Sequence, residues 1–493
     1  MSARNVIHFH AESYDGRMLG ALGHPALRSA TPNIDRIAGE GTLFENAYCS
    51  HPICCPSRAN MWSGRYTHNC ESWNNHKGLE PGMWSLLDEL PGTHELQTLG
   101  KLDYRSGGHT IQARLTAWLG AAGIDKPQYD EDNSQCFSVA DTDEYRCHEG
   151  DWELVDRAVE FLERQKEAQQ QGGRPFFLTL SSGLVHAAFH TNRHWLEKIP
   201  AEDVDIPPMD DTDHPCQVFQ RMAKAWRYGF DEDTVRRVRR IYFAMCAECD
   251  AMVGALYDAM QRLGLADNTY FVFSGDHGEL ALEHQNWYKM SLYEGSVRVP
   301  MVMTGPDLAR GQRCENIVSL IDMCPTFMEM AGLEERDEFD GESLMPLARG
   351  DTTESRDLAY ACHTGTALNT SAYMLRKGRW KYTAYAGYPS QLFDLDSDPE
   401  ELNDLCGERP EVADRLHEEL EEIVDIEETH TTLMDYNKNA FRQFRRQAKK
   451  GLYVDDSYGL RDNPSSDYMT IMDNAFSGYD ETDEERVKKW LDE

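Results

Sequence analysis

The sequence predicts an α/β protein in which a large, mixed, mostly parallel sheet is flanked by helices and followed by a smaller antiparallel subdomain. Three observations carry that expectation. Apolar strands alternate with long amphipathic helices over the first two thirds of the chain, polar loops follow the strand ends, and from about Asp357 the pattern shortens into strand-and-turn pieces.

Taken in order, Val6-Ile7-His8-Phe9 is an apolar strand that runs into the polar turn Ala11-Glu12-Ser13-Tyr14-Asp15-Gly16. Thr31 and Pro32 then open a helix through Ile34, Ile37 and Ala38, since proline suits the first turn of a helix, where its missing N–H costs nothing. Pro56 places a second helix start beside Cys54. Residues 151–171 have helical spacing through Val155, Val159 and Leu162, and Pro175-Phe176-Phe177-Leu178-Thr179-Leu180 is a buried strand. Residues 235–263 repeat the helical pattern up to Gly264, and Tyr270-Phe271-Val272-Phe273 is another strand, leading into Ser274-Gly275-Asp276-His277-Gly278-Glu279. In such sheets ligands gather beyond the carboxyl ends of the strands, where Glu12, His186, Asp276 and His277 all fall.

The smaller subdomain is expected from Tyr373-Met374-Leu375-Arg376, Trp380-Lys381-Tyr382 and Gln391-Leu392-Phe393-Asp394-Leu395. The expected divisions are residues 1–355, 356–430 and a tail of 431–493, in which Arg442, Arg445, Arg446, Lys449 and Lys450 form a basic helical patch. That patch packs over the site, joins subunits in a homo-oligomer, or is solvated, the usual fate of a charge run.

Composition narrows the function classes. The chain has 493 residues, with 85 Asp plus Glu against 49 Lys plus Arg and a net charge of −36, so its general surface repels nucleic acid and anionic membrane. An anionic substrate must therefore meet a local basic pocket. No run of about 18 apolar residues suggests a membrane span. The first strand begins almost at Met1, with no basic and apolar leader before it, so a cytoplasmic location is expected, or a periplasmic or secreted one if a leader has been removed. Thirteen cysteines without framework spacing suggest reduced thiols.

The most informative stretch is Cys54-Cys55-Pro56-Ser57-Arg58 with Ser63-Gly64-Arg65 closing the same helix-length segment. Only Cys54 has a proline two residues on and an arginine four residues on, and a helix start favours an anionic group such as sulfate. This run resembles the signature of type I sulfatases. The resemblance continues through Thr31-Pro32-Asn33-Ile34-Asp35, Gly100-Lys101, residues 180–186, Asp276-His277-Gly278, residues 289–300, Asp322-Met323-Cys324-Pro325-Thr326 and Leu392-Phe393-Asp394-Leu395. Within the family the likeness extends to the glucuronate-2-sulfatase branch, through Ser13-Tyr14-Asp15-Gly16-Arg17, Glu71-Ser72-Trp73-Asn74-Asn75, residues 242–248 and Tyr288-Lys289-Met290-Ser291.

The resemblance implies an alkaline-phosphatase-like fold and a hydrolase of sulfate esters. It implies that a maturation enzyme oxidises Cys54 to formylglycine, whose hydrated aldehyde is the nucleophile and carries sulfate covalently, and that Arg58 orients the hydrate. A divalent cation, calcium by the hardness of its oxygen ligands with magnesium as the alternative, is expected on Glu12, Cys54, Asp276 and His277. Glu12-Ser13 stands where the family commonly has two aspartates, which removes one carboxylate and lengthens the other. Lys101 and Lys289 are expected on the sulfate, and His186 as the acid for the leaving alcohol. His109 is either the base of the second step or a loop residue. Glu71, Trp73, Asn74 and His363 are expected to select the substrate, implied to be 2-O-sulfated glucuronate in a glycan fragment with aryl sulfates as surrogates. Two other readings remain: a phosphonate monoester or phosphodiester hydrolase of the same superfamily, and a non-catalytic glycan-binding protein in which Cys54 stays a thiol.

Overall fold

The computed structural model describes residues 4–108, 115–125, 137–223, 230–334, 336–365, 367–455, 459–462, 467–475 and 478–493. Among the described residues nine strands precede the smaller sheet: β1 (Asn5–Ala11), β2 (Thr42–Tyr48), β3 (Glu95–Gly100), β4 (Phe137–Ala140), β5 (Phe176–Ser181), β6 (Phe189–Asn192), β7 (Thr269–Gly275), β8 (Met301–Thr304) and β9 (Gln312–Ser319). Seven of them form one sheet in the order β3-β5-β1-β7-β8-β2-β9. Every neighbouring pair is parallel except the two made by β8, so only that strand runs against the rest. β4 and β6 pair separately and in parallel.

The central strands β1, β5 and β7 are buried along their whole length, as parallel strands covered on both faces must be. Side chains alternate across the sheet. Ile7, Phe9, Leu178, Leu180, Phe271 and Phe273 pack under helix α1 (Pro32–Glu40) and the long helices Glu149–Gln170 and Glu232–Arg262. Val6, Phe177 and Val272 face the opposite layer with Trp62 of helix α2 (Cys54–Ser63) and Phe327 of the helix Met323–Ala331. His8 and His10 share that second face, and both hydrogen-bond Ser274 Oγ, at 2.8 and 2.9 Å. Each large apolar side chain buried this way contributes about 1.5–3 kcal/mol.

The smaller sheet is an antiparallel meander of β10 (Leu358–His363), β11 (Ala372–Lys377), β12 (Trp380–Tyr385) and β13 (Tyr388–Asp394), with the helix Pro410–Glu421 against its apolar face. A buried charge cluster joins it to the large sheet. Lys381 Nζ reaches Glu294 at 3.1 Å and Glu401 at 2.8 Å, and Arg376 Nε donates to Tyr48 Oη at 3.1 Å. Beyond it, Phe441 and Phe444 of the helix Ile426–Ala448 pack with Trp118, Leu119, Met472 and Leu491. Of the basic patch, Arg446, Lys449 and Lys450 are exposed, whereas Arg445 is buried in ion pairs with Glu484 and Glu493. Among the described residues no helix is long and apolar enough to cross a membrane.

Candidate active site

Five parallel strands deliver the site at their carboxyl ends. Glu12 follows β1, Lys101 follows β3, the loop carrying His186 follows β5, and Asp276-His277 follow β7. The segment after β2 leads into α2, which starts at Cys54 and buries all ten of its residues. A helix so enclosed is fixed at both ends: Asn75 Oδ1 accepts from Cys55 N at 3.0 Å, and Gly64 at φ 68° closes it in the left-handed region that glycine adopts without strain.

Cys54 is the centre of the constellation. Its thiol donates to Glu12 Oε1 at 3.2 Å, and His277 Nε2 lies 3.4 Å from the same sulfur. The Nδ1–H of His277 donates to Gly278 O at 2.9 Å, which leaves Nε2 as the nitrogen with a lone pair facing Cys54. Asp276 Oδ1 accepts from the backbone N–H of Ser13 and of His277, at 3.0 and 2.9 Å. Asp276 Oδ2 accepts from Arg58 Nε at 3.0 Å. Arg58 Nη1 donates to Lys101 O and Ser181 Oγ, both at 2.5 Å, while its buried Nη2 has no partner among the described residues.

Two lysines complete the group. Lys101 Nζ pairs with Glu12 Oε1 and lies 3.5 Å from Asp103. Lys289 Nζ donates to His186 Nε2 at 2.7 Å, and the Nδ1–H of His186 donates to Ala187 O. The loop that carries His186 is anchored by Gly183 N donating to Asp151 Oδ1 at 2.7 Å, and by Glu12 N donating to Leu184 O at 2.8 Å. Tyr288 lies against His186, ring centroids 6.3 Å apart.

The electrostatics follow from burial and from three cations beside two carboxylates. Burial alone would raise Glu12, but Lys101 foremost, with His186, Arg58 and Lys289, holds its carboxyl well below the usual range. Asp276 is likewise lowered, with burial opposing and His277 and Arg58 prevailing. Burial pushes the Cys54 thiol up to about 11, against the pull of Lys101 and Lys289. Burial first, then the Lys289 charge, lowers His186 to about 3, and burial lowers His277 to about 4. The unmodified thiol is therefore a poor nucleophile at neutral pH, and both imidazoles are neutral.

The donor set suits a cation. One ligand atom from each of Cys54, Asp276 and His277, and one from each of Glu12, Cys54 and His186, converge within 4.8 Å of one another. The sulfur of Cys54 stands where an oxygen of hydrated formylglycine would sit, so Glu12, Asp276 and His277 would hold the ion beside that oxygen. Two carboxylates and one imidazole are few ligands for calcium, whose shell of six to eight oxygens would need substrate and water to fill it.

The expected substrate-selecting residues have mixed exposure. Glu71 is exposed and adopts φ 52° just after the short helix Thr67–Cys70. Trp73, Asn74 and His363 are buried. Asn74 Oδ1 accepts from the backbone N–H of His76 and Lys77 at 2.7 and 3.0 Å, closing the turn that carries Asn75. His363, at the end of β10, has its ring 5.7 Å from that of His51. His109 lies outside the described residues. Sequence reasoning quoted Asn75 without seeing its bond to Cys55, and gave no role to Asp151 or Ser181, which hold Gly183 and Arg58. It also missed Ser57, whose hydroxyl donates to Asp276 O; that residue lay in plain view inside the Cys54 motif.

Comparison with known proteins bears on the family and the fold. The sulfatase family model matches residues 4–333, and the model for the C-terminal region of N-sulphoglucosamine sulphohydrolase matches residues 282–426. Arylsulfatase K of Homo sapiens is 36% identical over 472 residues, covering 90% of this chain and 86% of that protein. Arylsulfatase K of Xenopus laevis is 37% identical over 468 residues, covering 89% and 85%. Among solved structures, the phosphonate monoester hydrolase of Agrobacterium radiobacter superposes with a TM-score of 0.66 at 21% identity, covering 93% of this chain and 99% of that one. A protein solved with its substrate D-glucosamine-2-N,6-O-disulfate superposes with a TM-score of 0.63 at 19% identity, covering 88% and 99%. These two share the fold. The chain belongs to the sulfatase family and is a sulfuric ester hydrolase.

Proposed function

We propose that the protein removes 2-O-sulfate from glucuronate in glycan fragments, with small aryl sulfates as surrogate substrates, after a maturation enzyme converts Cys54 to formylglycine. The observation that carries this reading is the position of Cys54 at the start of a buried helix, in contact with Glu12 and His277 and facing two lysines. The choice of sugar is supported by the likeness to arylsulfatase K over most of the chain.

Hydrated formylglycine would supply the attacking hydroxyl, and a divalent ion, calcium or magnesium, would polarise the sulfuryl oxygens. The residues do the rest. Lys101 and Lys289 stabilise the charge that develops on sulfate. Arg58 holds Asp276 in place and keeps its Nη2 donor available for an oxygen at position 54. His186 has Nδ1–H committed to Ala187 O and Nε2 facing Lys289 Nζ at 2.7 Å, so Nε2 passes a proton taken from Lys289 to the leaving oxygen as the S–O bond breaks.

Peptide mass spectrometry across Cys54 tests the nucleophile. Protein made alongside a maturation enzyme should lack about 18 Da relative to cysteine, the change from a thiol side chain to an aldehyde. An unmodified thiol would sink the mechanism and leave glycan binding as the better reading. Rates on an aryl sulfate and an aryl phosphodiester then separate sulfatase from phosphodiesterase action, and release of sulfate from 2-O-sulfated glucuronate disaccharides tests the sugar.

A further inference from the structure

A second cluster of ligand-bearing side chains lies outside the active site. Cys147 and His148 immediately precede the helix Glu149–Gln170, and Glu248 projects from the middle of the helix Glu232–Arg262. One potential ligand atom from each lies within 4.8 Å of the others. None of the three residues belongs to the catalytic constellation.

The Glu248 carboxylate is fixed before any ion arrives. Its Oε1 accepts from Cys147 N at 2.8 Å, from His148 N at 3.0 Å and from Trp152 Nε1 at 3.0 Å. Its Oε2 faces His148 Nδ1 at 2.7 Å, and the Glu248 side chain is fully buried. Such supporting donors fix the orientation of a ligating carboxylate. Cys147 and His148 are only partly buried, which leaves an entry path.

We propose that Cys147, His148 and Glu248 form a second cation site, for a thiophilic divalent ion of the zinc class, that clasps the start of one long helix to the middle of the other. The ligand chemistry selects this class, because one thiolate, one imidazole and one carboxylate are a donor set zinc accepts and calcium or magnesium does not. In a tetrahedral zinc site the ligands lie roughly 3–4 Å apart, so His148 Nδ1 and Glu248 Oε2, now 2.7 Å apart, would open slightly while Cys147 Sγ, within 4.8 Å of both, draws in. The ion takes the place of the proton now shared between His148 Nδ1 and Glu248 Oε2, and binding releases that proton together with the thiol proton of Cys147. The fourth position is filled by water or by His190, whose ring centroid lies 5.9 Å from that of His148.

The site also touches catalysis at one remove. Asp151, whose N–H donates to His148 O at 3.0 Å, is the residue that anchors Gly183 in the His186 loop.

The test uses the full chain carrying Cys54→Ser, which removes the catalytic thiol, stripped of metal and titrated with Co2+. A thiolate-to-cobalt charge-transfer band in the near ultraviolet is expected, displaced by Zn2+, together with a zinc-dependent rise in Tm. Adding Cys147→Ser should abolish the band and the rise. His148→Gln should weaken Co2+ binding at least tenfold and serves as an independent variant if the serine chain folds poorly, which circular dichroism would report. The proposal is overturned if the Cys54→Ser chain gives no such band. It is equally overturned if band and Tm rise persist unchanged in the Cys147→Ser and His148→Gln chains, which would leave a plain ion pair between Glu248 and His148.

Discussion

Arg58→Lys isolates what the guanidinium does beyond supplying charge. Arg58 uses Nε for Asp276 Oδ2 and Nη1 for Lys101 O and Ser181 Oγ, so one planar group braces the ends of three strands. A lysine at position 58 keeps the charge and can satisfy Asp276, but a single ammonium cannot reach all three acceptors in that geometry. Two hydrogen bonds from a cation are lost, at about 1.5 kcal/mol or more each, or about 3 kcal/mol together. If that free energy positions the site in the transition state, kcat/KM on an aryl sulfate falls roughly a hundredfold. If instead it serves the fold, the loss appears as a lower Tm with the activity of the folded fraction kept. Measuring both on the same preparation of formylglycine-containing protein separates the two. A variant within about threefold of the parent in kcat/KM and unchanged in Tm would refute the bracing role.

Other outcomes follow from the same contacts. Lys381→Met takes the ammonium from buried Glu401 and leaves buried Glu294 with only Arg298 at 3.6 Å and Tyr48 Oη at 3.0 Å, so thermal unfolding should show a loss of about 3–5 kcal/mol, with partial recovery when Glu294→Gln and Glu401→Gln are added. Asp151→Ala removes the acceptor for Gly183 N, and a contact of about 1 kcal/mol predicts roughly a fivefold fall in kcat/KM with little change in Tm. Burial raises Asp250 from 3.8 to about 7, while its bonds to Ile34 N and Asn33 pull it back only in part. The folded state thus holds this proton more tightly than the unfolded chain, so the group's contribution is full below pH 3.8 and declines as pH rises toward 7. Chemical denaturation of Asp250→Asn across that window should show a shallower decline with pH; equal slopes would refute it. Chelation should abolish turnover of an aryl sulfate, and re-addition of calcium or magnesium singly should show which ion restores it.

Much of the architecture was legible because burial writes itself into sequence. β5 and β7 are continuous apolar runs since both their faces are covered, and the helices Glu149–Gln170 and Glu232–Arg262 keep an apolar stripe where they meet the sheet. β3 escaped notice because it is a sheet-edge strand with mostly half-exposed residues, and β8 because four residues carry too little periodicity. Within the site, Glu12, Cys54, Arg58, Lys101, His186, Asp276, His277 and Lys289 were visible as motif residues at strand and helix ends. Their pairing was not. That Lys289 bonds His186, or that Arg58 bonds Ser181, depends on contacts across more than a hundred residues that no local pattern encodes. Of the readings open for the basic patch, solvation holds for Arg446, Lys449 and Lys450 but not for Arg442 and Arg445, whose partners lie about 40–50 residues further on.

The strand order of the large sheet has a consequence for the life of the chain on the ribosome. β1 lies between β5 and β7, so Val6 waits for Phe177 and Tyr270 before it has neighbours on both sides. The pocket around Cys54 cannot close until Asp276 has been made, about 220 residues later. At ~5–20 residues per second that is a delay of roughly 10–45 seconds. Once folding is complete, Cys54 is 2% exposed and beyond the reach of another protein's active site. The topology thus sets a timer: an enzyme that converted this cysteine would have to reach it before the pocket closes, and conditions that speed closure relative to that encounter would leave a folded chain with its thiol intact.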